Sequence, residues 1–307
     1  WSEYFQDIEG DKKPAPKYNT RFKMLWDEQF LYILAELEEP HVWAYYNKRD
    51  MIIYHENDFE VFIDPDGDTH NYFEFEINAQ NTVMDLFMPK PYRNGGKFDL
   101  GWNAEGFQSS VRVNGTLNDP SDIDKKWTVE MAIPFIALKV NDEYLVPIDG
   151  DHWKINFSRV QWQTEIVDGK YQKIKDTQTG RFLHEDNWVW SKQGVINMHL
   201  PERWGIASFS TQKVGSAKVE FVYHDEEIFG KYLWLVYYKQ QDFKKKNNRF
   251  AFTLEDIGLQ KEIITENGKT ILLYLKTKNN GFKVFLENNM GLKLSINQDG
   301  LFQRTEK

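Results

Sequence analysis

The chain has 307 residues, 47 of them acidic and 38 lysine or arginine, for a formal net charge of −9. An acidic protein has no general attraction for nucleic acid or anionic lipid, and the absence of cysteine excludes disulfide scaffolds, thiolate metal sites and thiol nucleophiles. Hydrophobic residues at 41% and aromatics at 16% supply apolar area for two ordinary cores, which excludes wholesale disorder.

The chain opens on Trp1-Ser2-Glu3-Tyr4-Phe5, which is neither a signal peptide nor an initiator sequence, so a trimmed start is expected, with Trp1–Asp7 lying against the first domain. From Arg21 to about Phe209, short apolar runs alternate with turn residues. Arg21–Leu25, Phe30–Leu37, Phe59–Ile63, Tyr72–Ile77, Gln108–Val113, Trp127–Ile133 and Trp153–Val160 read as strands. Asp64-Pro65-Asp66-Gly67-Asp68, Asn94-Gly95-Gly96 and Asn114-Gly115 supply the turns. Many short strands and few helices predict an antiparallel sandwich over residues 1–211.

The texture changes after Ser210. Thr211–Ala217 is small and polar, and Lys218–Tyr223 reads as a last strand. Glu226–Lys246 predicts one long helix, because Phe229, Tyr232, Leu233, Val236, Gln240 and Phe243 fall on one face. Asp225 is placed to cap it, and Lys244-Lys245-Lys246 suits the negative end of its dipole. Thr270–Lys276, Phe282–Glu287 and Leu292–Asn297 then read as a meander turned at Asn279-Asn280-Gly281 and Gln298-Asp299-Gly300. Residues 212–307 are therefore expected to form a small α+β domain, one long helix packed on a short antiparallel sheet. The longest apolar run, Tyr232–Tyr238, is too short to span a membrane.

Five segments carry a family resemblance in their order and spacing. They are Leu25-Trp26-Asp27-Glu28 with Leu31-Tyr32; Asn57-Asp58-Phe59-Glu60-Val61-Phe62-Ile63-Asp64-Pro65-Asp66; Trp127-Thr128-Val129-Glu130-Met131-Ala132-Ile133-Pro134; Asn156-Phe157-Ser158-Arg159-Val160; and Pro201-Glu202-Arg203-Trp204-Gly205. Together they resemble the family 9 carbohydrate-binding modules over about residues 1–210. The resemblance implies an immunoglobulin-like β-sandwich, calcium, and recognition of sugar ends in an exported bacterial protein, periplasmic or at the outer surface. It also implies a site in which two aromatic rings sandwich a pyranose while polar groups satisfy its hydroxyls, since a sugar has apolar C–H faces and a polar rim. The matching clamp positions here are Tyr54 and Met198. Asn78 matches a polar sugar contact, and Ser158 stands where a longer amide is expected. Trp102, or Trp43, Trp162, Trp188 or Trp190, could supply the second ring from loops. Trp26, Trp127, Trp153 and Trp204 read as core.

Asp64, Asp66 and Asp68 place carboxylates at alternate loop positions, a spacing equally suited to Ca²⁺ and to a solvated turn; the resemblance favours calcium. Asp122 and Asp124 form a weaker candidate. Two other functions compete with non-catalytic sugar binding. A glycoside hydrolase, or its accessory subunit, would use a carboxylate pair drawn from Glu74, Glu76, Glu60 and Glu130. A structural or assembly protein that has lost the sugar site is favoured by Met198. The second domain, whose helix-then-sheet layout resembles pilin-like globular domains, is the place for a protein partner.

Overall fold

The computed structural model describes residues 1–216, 218–265, 268–278 and 280–304. Two compact units emerge, one formed by Trp1–Gly67 with Asn71–Thr211 and one by Asp68–His70 with Gln212–Lys307.

The first unit contains β1 (Gln6–Asp7), β2 (Thr20–Trp26), β3 (Phe30–Glu38), β4 (Asp58–Asp64), β5 (Tyr72–Asn78), β6 (Val83–Met88), β7 (Gln108–Asn114), β8 (Lys126–Pro134), β9 (His152–Gln161), β10 (Thr164–Val167), β11 (Lys170–Lys173), β12 (Asp186–Val189) and β13 (Gly205–Ser208). All seven strands expected from periodicity are present, each extended by a residue or more. Strands β2-β3-β8-β7 form one antiparallel sheet, and β1-β12-β9-β4-β5-β6, with β13 also on β9, form the other. Strands β10 and β11 make a separate hairpin. One core joins the two main sheets. Leu31, Ile33, Ala35 and Leu37 of β3 and Val129, Met131 and Ile133 of β8 meet Phe59, Val61 and Ile63 of β4 and Phe73, Phe75 and Ile77 of β5. Phe22 and Phe157 touch across the gap, their centroids 3.9 Å apart. The fold is thus an antiparallel β-sandwich. Trp127, Trp153 and Trp204 are buried. The opening segment lies along the edge of β2, where the Ser2 and Phe5 N–H groups donate to the carbonyls of Phe22 and Thr20 at 2.8 and 3.0 Å.

The outward face of the larger sheet is not left to water. Phe62, Tyr72, Met84, Leu86 and Met88 stand on it and pack beneath Ile8, Ile53, Val189, Met198 and Trp204. As a result every residue of β4 and of β5 is buried on both faces.

In the second unit, α1 (Asp225–Asn247) packs on an antiparallel sheet of β14 (Glu262–Ile264), β15 (Thr270–Lys278), β16 (Gly281–Asn288), β17 (Lys293–Asn297) and β18 (Phe302–Arg304). Phe229, Leu233, Val236 and Tyr237 of the helix meet Ile271, Leu273, Val284, Leu286, Leu294 and Ile296. Gln240 sits on the same buried stripe because its amide closes on the Ala251 backbone, donating to the carbonyl at 3.1 Å and accepting from the N–H at 2.9 Å. The N-cap is His224 rather than Asp225: Glu227 reaches back to accept the His224 N–H at 2.7 Å. Asn248 ends the helix in the left-handed region at φ 54°. Of the expected last strand, Lys218–Tyr223 forms none; its alternation is not matched by burial, for Val219, Phe221, Val222 and Tyr223 are exposed. Asn279, of the expected first turn, lies outside the described residues.

Candidate functional site

A pocket of about 290 Å³ opens on the outward face of the larger sheet. That is near the lower limit of small-ligand pockets, roughly 300 Å³. Its floor carries Glu60, Glu74 and Glu76, together with Phe62, Met84 and Leu86; its rim carries Tyr54, Tyr92, Phe98, Met198 and His199. Strand periodicity explains the floor. Residues 59, 61, 63, 73, 75 and 77 point into the sandwich, so 60, 62, 74 and 76 must point the other way. In the ladder Glu60 is directly opposite Glu76, and Glu74 is opposite Phe62.

The carboxyls on this floor are desolvated. Burial pushes Glu60 up to about 7 and Glu74 up to about 8, and raises Glu76 and Asp58 well above the usual carboxylate range. Their mutual repulsion adds to the shift. His199 is driven the opposite way, to about 4, again by burial. Its Nε2 lies 3.8 Å from Glu74 Oε2, a contact between two groups that burial keeps neutral rather than an ion pair. The Tyr72 hydroxyl lies 2.9 Å from His199 Nδ1, within hydrogen-bond distance.

This arrangement predicts a pH effect. Unfolded, His199 takes a proton near pH 6.5; folded, it resists until about pH 4. Its contribution to stability is therefore complete above pH 6.5 and is lost as pH falls toward 4. The loss is about 3 kcal/mol, from roughly 1.4 kcal/mol per pH unit. The raised Glu60 and Glu74 act in the opposite sense over the same range, so the His199 part is the difference between wild type and His199→Gln in urea titrations at pH 7 and pH 4.5. An equal slope in the variant would assign the effect elsewhere.

Two of the rim aromatics, Tyr54 and Tyr92, sit on short turns. Tyr54 sits on a 3₁₀ turn, Ile53–His55. Its N–H donates to Glu76 Oε2 and its carbonyl accepts the Trp162 indole N–H, both at 2.9 Å. Tyr92 opens a second 3₁₀ turn, Tyr92–Asn94, and packs edge-on against the His199 ring at 4.5 Å. The Tyr92 hydroxyl is pushed up to about 12, first by burial and then by Glu74 and Glu76, so its polar end faces the acidic floor. Arg93 forks onto Glu202 with bonds of 2.6 and 2.9 Å, tying this turn to the segment that carries Met198 and His199. Gly96 is obligatory here: a Cβ would stand 1.7 Å from the Lys90 carbonyl oxygen.

Of the residues expected at the site, Tyr54 and Met198 line the pocket. Asn78 does not. It is fully buried and spent on the chain itself, donating to the Tyr46 carbonyl and accepting the Gln80 and Thr82 N–H groups. Ser158 is also fully buried, opposite Glu60 on β9, and is not part of the lining. Trp102 packs on Phe73 and Phe75 at 5.1 and 6.0 Å, on the sandwich side of the sheet. No tryptophan lines the pocket: Trp43 and Trp162 share a separate cluster, and Trp188 and Trp190 belong to the main core. The rings that complete the rim are Tyr92 and Phe98, which sequence reasoning missed. Their signal is modest, two aromatics flanking the Asn94-Gly95-Gly96 turn. Glu130 is exposed on β8 of the other sheet, away from the three floor glutamates.

Asp64, Asp66 and Asp68 each bring a carboxylate oxygen within 4.8 Å of the others. Asp64 is fully buried and accepts the Gly67 N–H at 3.1 Å, which folds the loop back on itself. Oxygen-only donors at this separation suit Ca²⁺. Asp124 is consumed as a loop organiser, accepting the Val42 and Thr116 N–H groups at 2.7 and 2.6 Å.

Comparison with known proteins places these features in context. The model of a family described as carbohydrate family 9 binding domain-like matches residues 1–188. Exoglucanase XynX of Acetivibrio thermocellus is 24% identical over 127 residues, 41% of this chain and 10% of that enzyme. Endo-1,4-beta-xylanase A of Thermoanaerobacterium saccharolyticum is also 24% identical over 127 residues, 41% of this chain and 9% of the enzyme. The chain thus spans about a tenth of the length of these curated relatives. Among solved structures, a family 9 carbohydrate-binding module of Caldicellulosiruptor kristjanssonii in complex with cellotriose is 16% identical, with a TM-score of 0.41 over 72% of this chain and 89% of that one.

Proposed function

We propose that this chain, which belongs to the carbohydrate family 9 binding domain-like family, is a non-catalytic carbohydrate-binding protein whose pocket takes the end of a sugar chain. The observation that carries the reading is a small pocket with an aromatic rim and a floor of three glutamates. Tyr54, Tyr92 and Phe98 offer flat apolar surface to a pyranose face, and Glu60, Glu74 and Glu76 offer oxygens to its hydroxyls. A pocket this small accommodates a terminal unit rather than the middle of an extended polymer. The exoglucanase and xylanase relatives direct attention to glucan and xylan ends.

Binding is favoured over hydrolysis by the crowding of the acids. One carboxylate oxygen from each of Asp58, Glu60 and Glu76 lies within 4.8 Å of the other two. A retaining glycosidase separates its pair by about 5–5.5 Å and an inverting one by roughly 6.5–9.5 Å, with room for water. A calcium ion held by the Asp64–Asp68 loop belongs to the same reading, as does an exported location; among the described residues no helix is long and apolar enough to cross a membrane.

Calorimetric titration of the intact chain with glucose, xylose, cello-oligosaccharides and xylo-oligosaccharides tests the reading. Saturable binding to at least one of them, independent of chain length beyond the terminal units, is expected. Absence of binding to all four, with and without calcium, would move the scaffold or assembly role to first place.

A further inference from the structure

Asp58, Glu60 and Glu76 are almost wholly buried, and each brings a carboxylate oxygen within 4.8 Å of the other two. Among the described residues the leading charges that act on them are acidic: each other's and those of Glu56, Glu74 and Glu185. Three carboxyls stripped of water at this distance persist only if protons or a cation neutralise them.

Two further observations point to a cation. Asp58 Oδ2 is enclosed with no hydrogen-bond partner, although its sister oxygen accepts the Val160 N–H at 3.2 Å. The Ser158 hydroxyl, fully buried and directly across the ladder from Glu60, makes no hydrogen bond of normal geometry, although it lies near enough to Glu60 to oppose the rise in its pKa. Both oxygens thus stand on the same face of two adjacent strands. Backbone N–H groups fix one oxygen of each of these side chains, Val160 donating to Asp58 at 3.2 Å and Tyr54 to Glu76 at 2.9 Å, which leaves the second oxygen of each to a proton or a cation.

We propose that Asp58, Glu60 and Glu76, supplemented by Ser158 Oγ, bind a divalent cation of the calcium type beneath the pocket floor. The donors are all hard oxygens, without the imidazole or thiolate that zinc prefers. Ca²⁺ sits 2.3–2.6 Å from its ligands, so oxygens on opposite sides of it stand roughly 5 Å apart, as this cluster allows. The site is separate from the Asp64–Asp68 loop. Asp58 and Asp64 are the two ends of β4, about 20 Å apart by strand rise. Because Glu60 and Glu76 also line the pocket, the bound ion presents a positive centre to whatever enters.

The test uses full-length protein stripped with chelator, in an Asp66→Asn/Asp68→Asn background that disables the loop. Calorimetric titration with calcium chloride should still show one site per chain, and the Tm should rise with calcium. Both responses should vanish when Glu76→Gln or Asp58→Asn is added. The calcium-free Tm of those variants should rise, because a buried repulsion is relieved. No calcium response in the loop-disabled protein, or an undiminished one in both added variants, overturns the proposal. Should one added variant fail to fold, the other decides. No sugar is present in this experiment, so its outcome and that of the carbohydrate titration are independent.

Discussion

Arg159→Leu is expected to lower the unfolding free energy of the sandwich by about 3–5 kcal/mol, the usual cost of removing one partner from a buried ion pair. Arg159 is 1% exposed, and burial lowers its pKa without removing its charge. It lies on β9 after Trp153, Ile155 and Phe157, on the face that points between the sheets. There its guanidinium gathers acceptors from both sheets. It donates to Glu39 Oε2 at 3.0 Å, to the Glu38 carbonyl at 2.8 Å, to Thr20 Oγ1 at 3.1 Å, and to Gln161 Oε1 at 3.0 and 2.7 Å. Trp188 and Tyr18 cover it, with centroids 5.2 and 5.6 Å from Cζ. Leucine would replace the stem but leave Glu39, itself 3% exposed, as an uncompensated carboxylate among unpaired acceptors. Arg159→Lys keeps the charge but not the planar fork, and should fall between. Urea denaturation should show a lower midpoint with an unchanged m-value. A loss below about 1 kcal/mol would mean that water replaces the guanidinium, and that this end of the sandwich is wet.

The same arginine shows where sequence reasoning reaches its limit. Strands such as Tyr72-Phe73-Glu74-Phe75-Glu76-Ile77 announce themselves by alternation, and the sandwich follows from counting them. Alternation also says that Glu74, Glu76 and Glu60 share a face, but it assigns that face to solvent. Whether loops cover it is not a local property: the segments bearing Tyr54, Tyr92 and Met198 arrive from distant parts of the chain. Burial on both faces also hides β6, Val83-Met84-Asp85-Leu86-Phe87-Met88, which has no polar face to alternate with. Asn78 misleads for a related reason. An asparagine at a strand end reads equally as a ligand donor and as a turn brace, and only its partners, the Gln80 and Thr82 N–H groups, decide for the brace. Tyr54 is legible because its position relative to the Asn57–Asp66 segment fixes it, whereas nothing in the intervening sequence ties Tyr92 to the same pocket.

If Tyr54 and Tyr92 contact the sugar faces, replacing either by alanine should weaken binding by about tenfold to a hundredfold. Each ring removes apolar sugar surface from water at roughly 25 cal/mol per Å², and each has a partly exposed ring to offer, 41% for Tyr54 and 44% for Tyr92. Stability should change little in comparison, because such exposed rings contribute little to the core. At Tyr54 the two interactions that shape the turn, to Glu76 and from Trp162, run through the backbone and survive truncation. At Tyr92 the Arg93–Glu202 fork still anchors the turn. Tyr92→Phe separates stacking from hydrogen bonding: it keeps the ring and removes the hydroxyl that faces Glu74 and Glu76, so a smaller loss is expected. The double alanine variant is the decisive measurement. Two rings closing on one pyranose share its desolvation, so their combined loss should differ from the sum of the single losses by more than about 0.5 kcal/mol. Additive losses would place the two tyrosines on different sugar units. Unchanged affinity in both single variants, in protein that unfolds normally, would remove the pocket from sugar recognition altogether.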